Sequence, residues 1–163
     1  MDEPTMHWWK QFKPKACLLN LKASSKADTL SEIVDHMVEA ELLPATLASL
    51  ALKALVEREH LASTGVGQHV AIPHVKLAGI ERALCTLGIH REGVSWAAVD
   101  GAPVQILFTV LRPEKPGADH DPERHLEMMR WIAKLARDAD FRRFALRART
   151  KTELVDLLKE MST

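Results

Sequence analysis

Residues 63–76 read STGVGQHVAIPHVK, and the fold and chemistry of the chain are inferred outward from this stretch. Gly65 and Gly67 allow a tight turn, and the apolar run VAI that follows them predicts a short strand. Pro73 lacks the N–H group that a sheet ladder needs, so we expect it to end that strand and to leave His74 at the strand end with its ring turned outward. An imidazole is largely uncharged near neutral pH, which leaves one ring nitrogen with a lone pair. His74 is therefore a candidate nucleophile.

This stretch resembles the type 2 IIA proteins of the bacterial phosphotransferase system, in the fructose/mannitol and nitrogen-regulatory branch. The family pattern runs S-T-G-[IV]-G-x-G-[IV]-A-[IV]-P-H-G-[KR], and its histidine, here His74, carries the phosphoryl group. The resemblance extends from about Cys17 to about Leu158. Two residues depart from it, because His69 and Val75 stand where glycine is usual. If the family's glycine needs a positive φ or a small side chain, we expect a β-branched Val75 to strain the phosphoryl pocket.

An arginine precedes the glycine turn at the end of a predicted helix. This helix is expected to start with Thr46 as its N-cap, and its apolar face recurs at helical spacing up to Leu55. The next position on that face is Arg58, where a cation must extend to solvent or meet an anion. The residues alone leave both roles open. The resemblance implies the functional one, because it matches Arg58 to the arginine of the family's R-E-x-x-x-S-T-G segment near the phosphoryl site.

A second histidine lies at a predicted helix start. Asp121 is a good N-cap and Pro122 a good first helical residue. On a helical wheel His125 falls on the apolar face, within the first turn, where free N–H groups and the helix dipole favour an anion. The wheel is equally compatible with a histidine that only packs in the core. The resemblance implies that His125 is the family's second active-site histidine, because HLEMM at 125–129 matches its H-L-x-x-[LM] helix start.

Composition restricts the class of protein. The 163 residues are 47% hydrophobic and 27% charged, which suits one domain, expected at 16–163 with residues 1–15 packed on it. The 22 Lys and Arg balance the 22 Asp and Glu, so no nucleic-acid partner is expected. No apolar run approaches the roughly 20 residues of a membrane helix, and no secretory signal is recognisable. We therefore expect a cytoplasmic protein without membrane insertion, in which Cys17 and Cys85 are buried and reduced.

The predicted fold is a single α/β domain, with a mixed sheet of four or five strands and helices on both faces. Residues 83–89 and 103–111 are almost wholly apolar, which is typical of strands that are covered on both faces. Residues 94–99 are a possible edge strand that carries Trp96.

The resemblance implies reversible phosphoryl transfer between histidines. An HPr-like histidine phosphocarrier would be the donor, Nε2 of His74 would attack phosphorus in line, and a IIB domain or a regulatory protein would be the downstream target. Arg58 and His125 would bind the phosphoryl oxygens, because such transfer relies on positioning and charge neutralisation.

The glycine turn is expected to complete this anion site. Thr64 and the amides of Gly65 and Gly67 could form a nest for the phosphoryl oxygens, although Thr64 could also simply brace the turn. With these groups offsetting an added charge of about −2, no metal and no other cofactor is required.

Several alternatives stay open. The same chemistry serves either a nitrogen or carbon regulatory switch, which the absence of a fused membrane or sugar-binding domain favours, or a sugar-specific, fructose/mannitol-like transport component. A non-catalytic binding module and a transition-metal site built from His69, His74, His120 and His125 belong to other classes, although those spacings fit no known metal signature. A hydrolase is disfavoured because G-x-S-x-G is absent and neither cysteine lies beside a loop histidine.

Overall fold

An open mixed sheet with helices on both faces makes up the structure, a computed structural model that describes residues 7–115 and 121–162. Within those ranges there are six strands, namely β1 (Cys17–Leu18), β2 (Gly65–Gly67), β3 (Val70–Ala71), β4 (His74–Leu77), β5 (Leu84–Val94) and β6 (Val104–Pro113). The α-helices of the same ranges are α1 (Lys26–Glu39), α2 (Ala48–Leu61), α3 (Pro122–Ala136), α4 (Ala139–Arg147) and α5 (Lys151–Glu160). None of these helices combines the length and the hydropathy that crossing a membrane requires.

Strand β6 is the centre of the sheet. The strand order is β1-β5-β6-β3-β2, and β4 also pairs with β6. The β5–β6 and β2–β3 pairs are antiparallel, whereas β1 pairs with β5, and β3 and β4 pair with β6, in parallel. The predicted α/β class and mixed sheet are confirmed. The described sheet has six strands rather than four or five, because two short strands, β2 and β4, were not expected.

The unexpected strand β4 begins at His74. Pro73 interrupts the sheet without ending it, since its carbonyl still accepts a hydrogen bond from the Val110 N–H at 2.9 Å. The chain therefore runs along β6 twice in succession, first as β3 and then as β4. His74 lies at the start of a strand rather than at the end of one.

The sheet separates two hydrophobic cores. One core joins Phe108 and Val110 of β6 to buried residues of α3, α4 and α5. The other joins Leu107 and Leu111 to buried residues of α1 and α2. Alternate residues of β6 thus face opposite layers, as a strand buried on both sides requires. The prediction of helices on both faces is confirmed.

The predicted edge strand at 94–99 is wrong. Strand β5 ends at Val94, and the following residues are irregular. Ala97 has a φ of 53°, which takes the chain out of extended geometry. Trp96 is nevertheless only 1% exposed, so the alternation of apolar residues that suggested a strand reflects packing of this loop on the domain.

Of the two predicted helix starts, one is confirmed and one is wrong. The Asp121 carboxylate accepts a hydrogen bond from the Glu123 N–H at 3.0 Å, and Pro122 occupies the first turn of α3. Thr46 does not cap α2, because it lies inside a 3-10 turn, Ala45–Leu47, and the α-helix begins only at Ala48.

The described part of the N-terminal segment contributes to the core. Phe12 is fully buried, with its ring 5.9 Å from that of Phe108 and 6.1 Å from that of Trp131. Residues 1–6 lie outside the described residues, and the division of the chain after residue 15 stays a prediction.

Cys17 and Cys85 are buried free thiols, as predicted. Burial raises the pKa of each to about 12, because the thiolate cannot be solvated there.

Replacement of Phe12 tests how firmly the N-terminal segment is held. We expect Phe12→Ala to lower the free energy of unfolding by about 3–5 kcal/mol, because it removes a buried ring from a packed core. Phe144→Ala is the matched control, since Phe144 is 48% exposed, and it should cost much less. Urea unfolding followed by circular dichroism measures both, and equal losses would contradict the packing described.

Candidate functional site

His74 is held in one tautomer by the backbone beside it. Its Nδ1 lies 2.7 Å from the Ile72 carbonyl oxygen. A carbonyl oxygen can only accept, so Nδ1 carries the proton and donates it. In the neutral ring the lone pair is then on Nε2, the atom that the family resemblance implies as the phosphoryl acceptor. The residue is half-buried.

The register of the sheet places His125 on the same side as His74. Val110 of β6 is the register partner of both His74 and Cys85, so their three side chains share one face of the sheet. The sulfur of Cys85 lies 4.0 Å from the sulfur of Met128 in α3. His125 precedes Met128 by one helical turn and is 8% exposed. Helix α3 therefore covers the sheet face to which His74 belongs, with His125 buried in its first turn.

Arg58 comes from the opposite layer. It lies in the last turn of α2, three residues after the buried Leu55. Its Nη1 donates to the carbonyl of Ala62 at 2.7 Å. Because of this bond, the guanidinium lies against the residues that lead into the glycine turn. In the part of the chain that the structure describes, no hydrogen bond joins Arg58 to His74.

The glycine turn is shaped by close approach of the loop after β5. A Cβ at Gly65 would lie 2.7 Å from the Cβ of Ala98, so only glycine fits there. Gly67 has a φ of 93°, a conformation that other residues rarely adopt. Gln68 donates its N–H to the Asp100 carboxylate at 2.9 Å. The backbone N–H groups that donate to Asp100, that of Gln68 foremost, hold the pKa of its carboxyl below the usual value.

Thr64 is engaged by its neighbours. Its hydroxyl donates to Oε2 of Glu59 and accepts from Nε1–H of Trp96, which is 3.1 Å away. Its N–H donates to Oε1 of Glu59 at 3.0 Å. At 4% exposure, Thr64 braces the turn through its side chain. Its expected role as a ligand of the phosphoryl group stays a prediction.

Glu59 and Trp96 are the residues that the sequence analysis did not assign to the site. A signal for Glu59 was present, because Ala51, Leu55 and Glu59 follow one another at four-residue spacing and all three are buried. A carboxylate that continues an apolar stripe needs a partner, as the neighbouring arginine does. No comparable signal identified the indole N–H of Trp96.

The two departures from the family pattern have different consequences. Val75 lies in strand β4, packs against the core beside α1 and α2, and is not among the described residues with positive φ. A positive φ, one of the two grounds on which Val75 was expected to strain the phosphoryl pocket, is therefore absent. His69, in contrast, has a φ of 67°, and its Nδ1 donates to the Pro103 carbonyl at 2.8 Å. Of the two departures, only His69 adopts a backbone conformation that favours glycine.

The alternative of a metal site built from His69, His74, His120 and His125 includes a residue, His120, that lies outside the described residues. His69 and His74 each bond a backbone carbonyl through Nδ1, which leaves Nε2 as the free nitrogen of each neutral ring. Residues 7–115 and 121–162 contain no group of three or more His, Cys, Asp or Glu that could hold a metal ion.

Solved structures share this fold and define its class as a IIA domain. The nitrogen regulatory protein IIA-Ntr from Neisseria meningitidis has a TM-score of 0.76 at 28% identity, over 92% of this chain and 97% of that one. The mannitol enzyme IIA of Escherichia coli, solved in complex with phosphorylated mannitol enzyme IIB, has a TM-score of 0.68 at 14% identity, over 90% and 96% of the two chains. The second likeness shows the fold.

Sequence comparison gives the family. Residues 10–161 match the family described as phosphoenolpyruvate-dependent sugar phosphotransferase system, EIIA 2, and the chain belongs to it. A nitrogen regulatory protein from Pseudomonas aeruginosa is 38% identical over 130 residues, 79% of each chain. A fructose-specific EIIA component from Haloferax volcanii is 33% identical over 111 residues, 68% of this chain and 69% of its own. The predicted family is confirmed, and with it a role in phosphoryl transfer.

The tautomer of His74 can be measured directly. At slightly alkaline pH, where imidazoles are neutral, long-range ¹H–¹⁵N correlation spectra should show the proton on Nδ1. His90 is an internal control of the opposite kind, because its Nε2 lies 2.7 Å from the Ala23 carbonyl while its Nδ1 accepts from the Gly93 N–H at 3.0 Å. A His74 spectrum of the same type as that of His90 would contradict the geometry.

Proposed function

We propose that this protein is a cytoplasmic histidine phosphocarrier that accepts a phosphoryl group on Nε2 of His74. The observation that supports this most directly is the bond from Nδ1 to the Ile72 carbonyl, because it leaves Nε2 as the nucleophilic nitrogen. The donor is an HPr-like histidine phosphocarrier, and the phosphoryl group passes on to a IIB domain or serves as a regulatory signal.

The transfer step needs no proton to move at His74. The Nε2 lone pair forms a bond to phosphorus while the N–P bond of the donor histidine breaks, and that electron pair returns to the donor ring. Nδ1 of His74 keeps its proton and its bond to Ile72 throughout. The positive charge that develops on the acceptor ring is stabilised by the carbonyl oxygen to which Nδ1 donates.

Charge on the phosphoryl oxygens is neutralised by groups from both layers. Arg58 presents a fork of donors that suits a phosphoryl group, and release of its bond to the Ala62 carbonyl would let it reach the oxygens. His125 approaches from the first turn of α3, where the helix dipole also favours an anion. The amides of Gly65 and Gly67 supply further donors at the turn.

The regulatory use of this chemistry is the main proposal. It is supported by the 38% identity to a nitrogen regulatory protein of which the chain covers 79%. A sugar-transport role is the second candidate, supported by the fructose-specific relative. The two roles differ in whether phosphorylated His74 passes its group to a IIB domain or changes the binding of a regulated target.

Phosphorylation can be reconstituted with phosphoenolpyruvate, the first enzyme of the system and its small histidine phosphocarrier. We expect one acid-labile phosphate per chain in the wild type and none in His74→Ala. His36→Ala is the matched control and should be labelled fully, since Nε2 of His36 bonds the Lys15 carbonyl, remote in sequence from the proposed site. Label retained in His74→Ala would refute the assignment of the acceptor.

The role of Arg58 is tested by the rate of the same reaction. Arg58→Ala should slow phosphorylation by about 10²-fold, because it removes the guanidinium that would leave Ala62 and neutralise the charge on the phosphoryl oxygens. Lys53→Ala is the control, since it removes an exposed cation from the same helix, and its rate should match the wild type. Equal rates for Arg58→Ala and Lys53→Ala would exclude a role for Arg58, provided that circular dichroism shows both variants folded.

A further inference from the structure

Glu59 is a buried carboxylate for which phosphoryl transfer, as described above, has no use. Its side chain is 2% exposed, and it lies next to Arg58 in the last turn of α2. Burying a charge is unfavourable unless partners replace the lost water. The hydrogen-bond partners of Glu59 therefore indicate which groups this carboxylate fixes in place.

Within the described residues, three donors converge on the two oxygens of Glu59. Oε1 accepts from the Lys26 ammonium at 3.1 Å and from the Thr64 N–H at 3.0 Å, and Oε2 accepts from the Thr64 hydroxyl. The Lys26 ammonium also lies 5.3 Å from the centre of the Trp96 ring, whose N–H donates to Thr64. Acceptance at both oxygens is the behaviour of an ionised carboxylate. The cluster ties α1, α2 and the loop after β5 to Thr64.

From Thr64 the hydrogen bonds continue to His74. The carbonyl of Thr64 accepts from the Ile72 N–H at 3.0 Å. The carbonyl of Ile72 in turn accepts Nδ1–H of His74 at 2.7 Å. The backbone of two residues, Thr64 and Ile72, thus lies between the carboxylate and the imidazole, and each of them donates through its N–H and accepts through its C=O.

We propose that Glu59, paired with Lys26, is a positioning residue that fixes the orientation and tautomer of His74 through the backbone of Thr64 and Ile72. The expected effect on the rate of phosphorylation rests on the proposed function, in which His74 accepts the phosphoryl group. The expected effect on the tautomer of His74 does not, because it concerns the unphosphorylated protein.

The effect of this series on His74 is geometric. Glu59 holds the Thr64 N–H, the Thr64 carbonyl holds the Ile72 N–H, and the Ile72 carbonyl is thereby kept where it accepts Nδ1–H of His74. A carbonyl fixed at this position favours the Nδ1–H tautomer and stabilises the positive ring that forms when Nε2 bonds phosphorus. Glu59 thus acts on the nucleophile without touching it or the phosphoryl group.

The test compares Glu59→Gln with Glu57→Gln. A glutamine side chain has nearly the same shape as glutamate but no charge and only one acceptor oxygen. Glu59→Gln therefore loses the ion pair with Lys26 that holds Oε1 beside the Thr64 N–H, as well as a partner for one donor of Thr64. Glu57 lies two residues earlier on the same helix and is exposed, so its variant is the control.

In Glu59→Gln we expect ¹⁵N spectra of the unphosphorylated protein to show Nε2–H at His74 in part of the molecules, with His90 unchanged. Phosphorylation should slow by about 10–100-fold, the loss that follows when a residue that orients a metal-ligating histidine is replaced. Glu57→Gln should match the wild type in both measurements.

Two further variants separate this proposal from simple loss of packing. Thr64→Val removes the hydroxyl and keeps the N–H to Glu59, so the tautomer of His74 should stay as in the wild type. Lys26→Met keeps most of the side-chain bulk but removes the cation that fixes Oε1 of Glu59 beside the Thr64 N–H, so it should shift the tautomer in the same direction as Glu59→Gln. If Glu59→Gln does not fold, Lys26→Met carries the test.

The outcomes are distinguishable from failure of the phosphocarrier assignment. An unchanged His74 tautomer in folded Glu59→Gln and in Lys26→Met overturns the proposal, whatever happens to the rate. Label retained in His74→Ala refutes the acceptor, yet a shifted tautomer in Glu59→Gln would still establish the connection between the two side chains.

Discussion

The pairing of β4 with β6 is the constraint on which the site depends. The register sets His74 beside Val110, and the alternation of β6 then decides which layer each neighbouring side chain meets. A slip of one residue would turn the imidazole towards α1 and α2 and away from the layer that contains His125. The register is secured because Leu77 is buried in the core beside α1 and α2 and Val75 packs against that core, so a slip of one residue would turn both side chains away from it.

The proposed site draws residues from the two helical layers. His125 belongs to the layer of α3, and Arg58 to the layer of α2. What connects them is the segment from the glycine turn to β4, which is fixed on one side by Glu59 and on the other by the loop that carries Trp96. The buried Lys26–Glu59 pair is costly to desolvate in any protein. Here the pair lies where α1, α2 and the loop after β5 meet, and hydrogen bonds through Thr64 and Ile72 connect it to His74, the proposed nucleophile.

Much of the fold and part of the proposed site could be predicted from the sequence, and the elements that were missed were missed for physical reasons. The motif around His74 and the apolar strands were enough for the family and the α/β class. Strand β4 was missed because a proline usually ends a ladder, and Pro73 instead keeps its carbonyl in one. Trp96 was assigned to a strand because a loop packed on a core can show the same alternation as an edge strand. Glu59 was overlooked because only its geometry in three dimensions shows that its charge is enclosed, although its spacing from Leu55 was visible.

The order of the strands along the chain also governs when the site comes into being. In the described sheet β4 pairs with β6, which follows it in the sequence with the whole of β5 between them. Domains generally fold as units during synthesis, and parallel pairings over long separations form late. A nascent chain that has left the ribosome only as far as residue 103 therefore has His74 and the local groups that bond it, but neither β6 nor the helix that carries His125. The proposed site is complete only after α3 has been made, so on the proposed mechanism unfinished polypeptides compete poorly with the mature protein for phosphoryl groups.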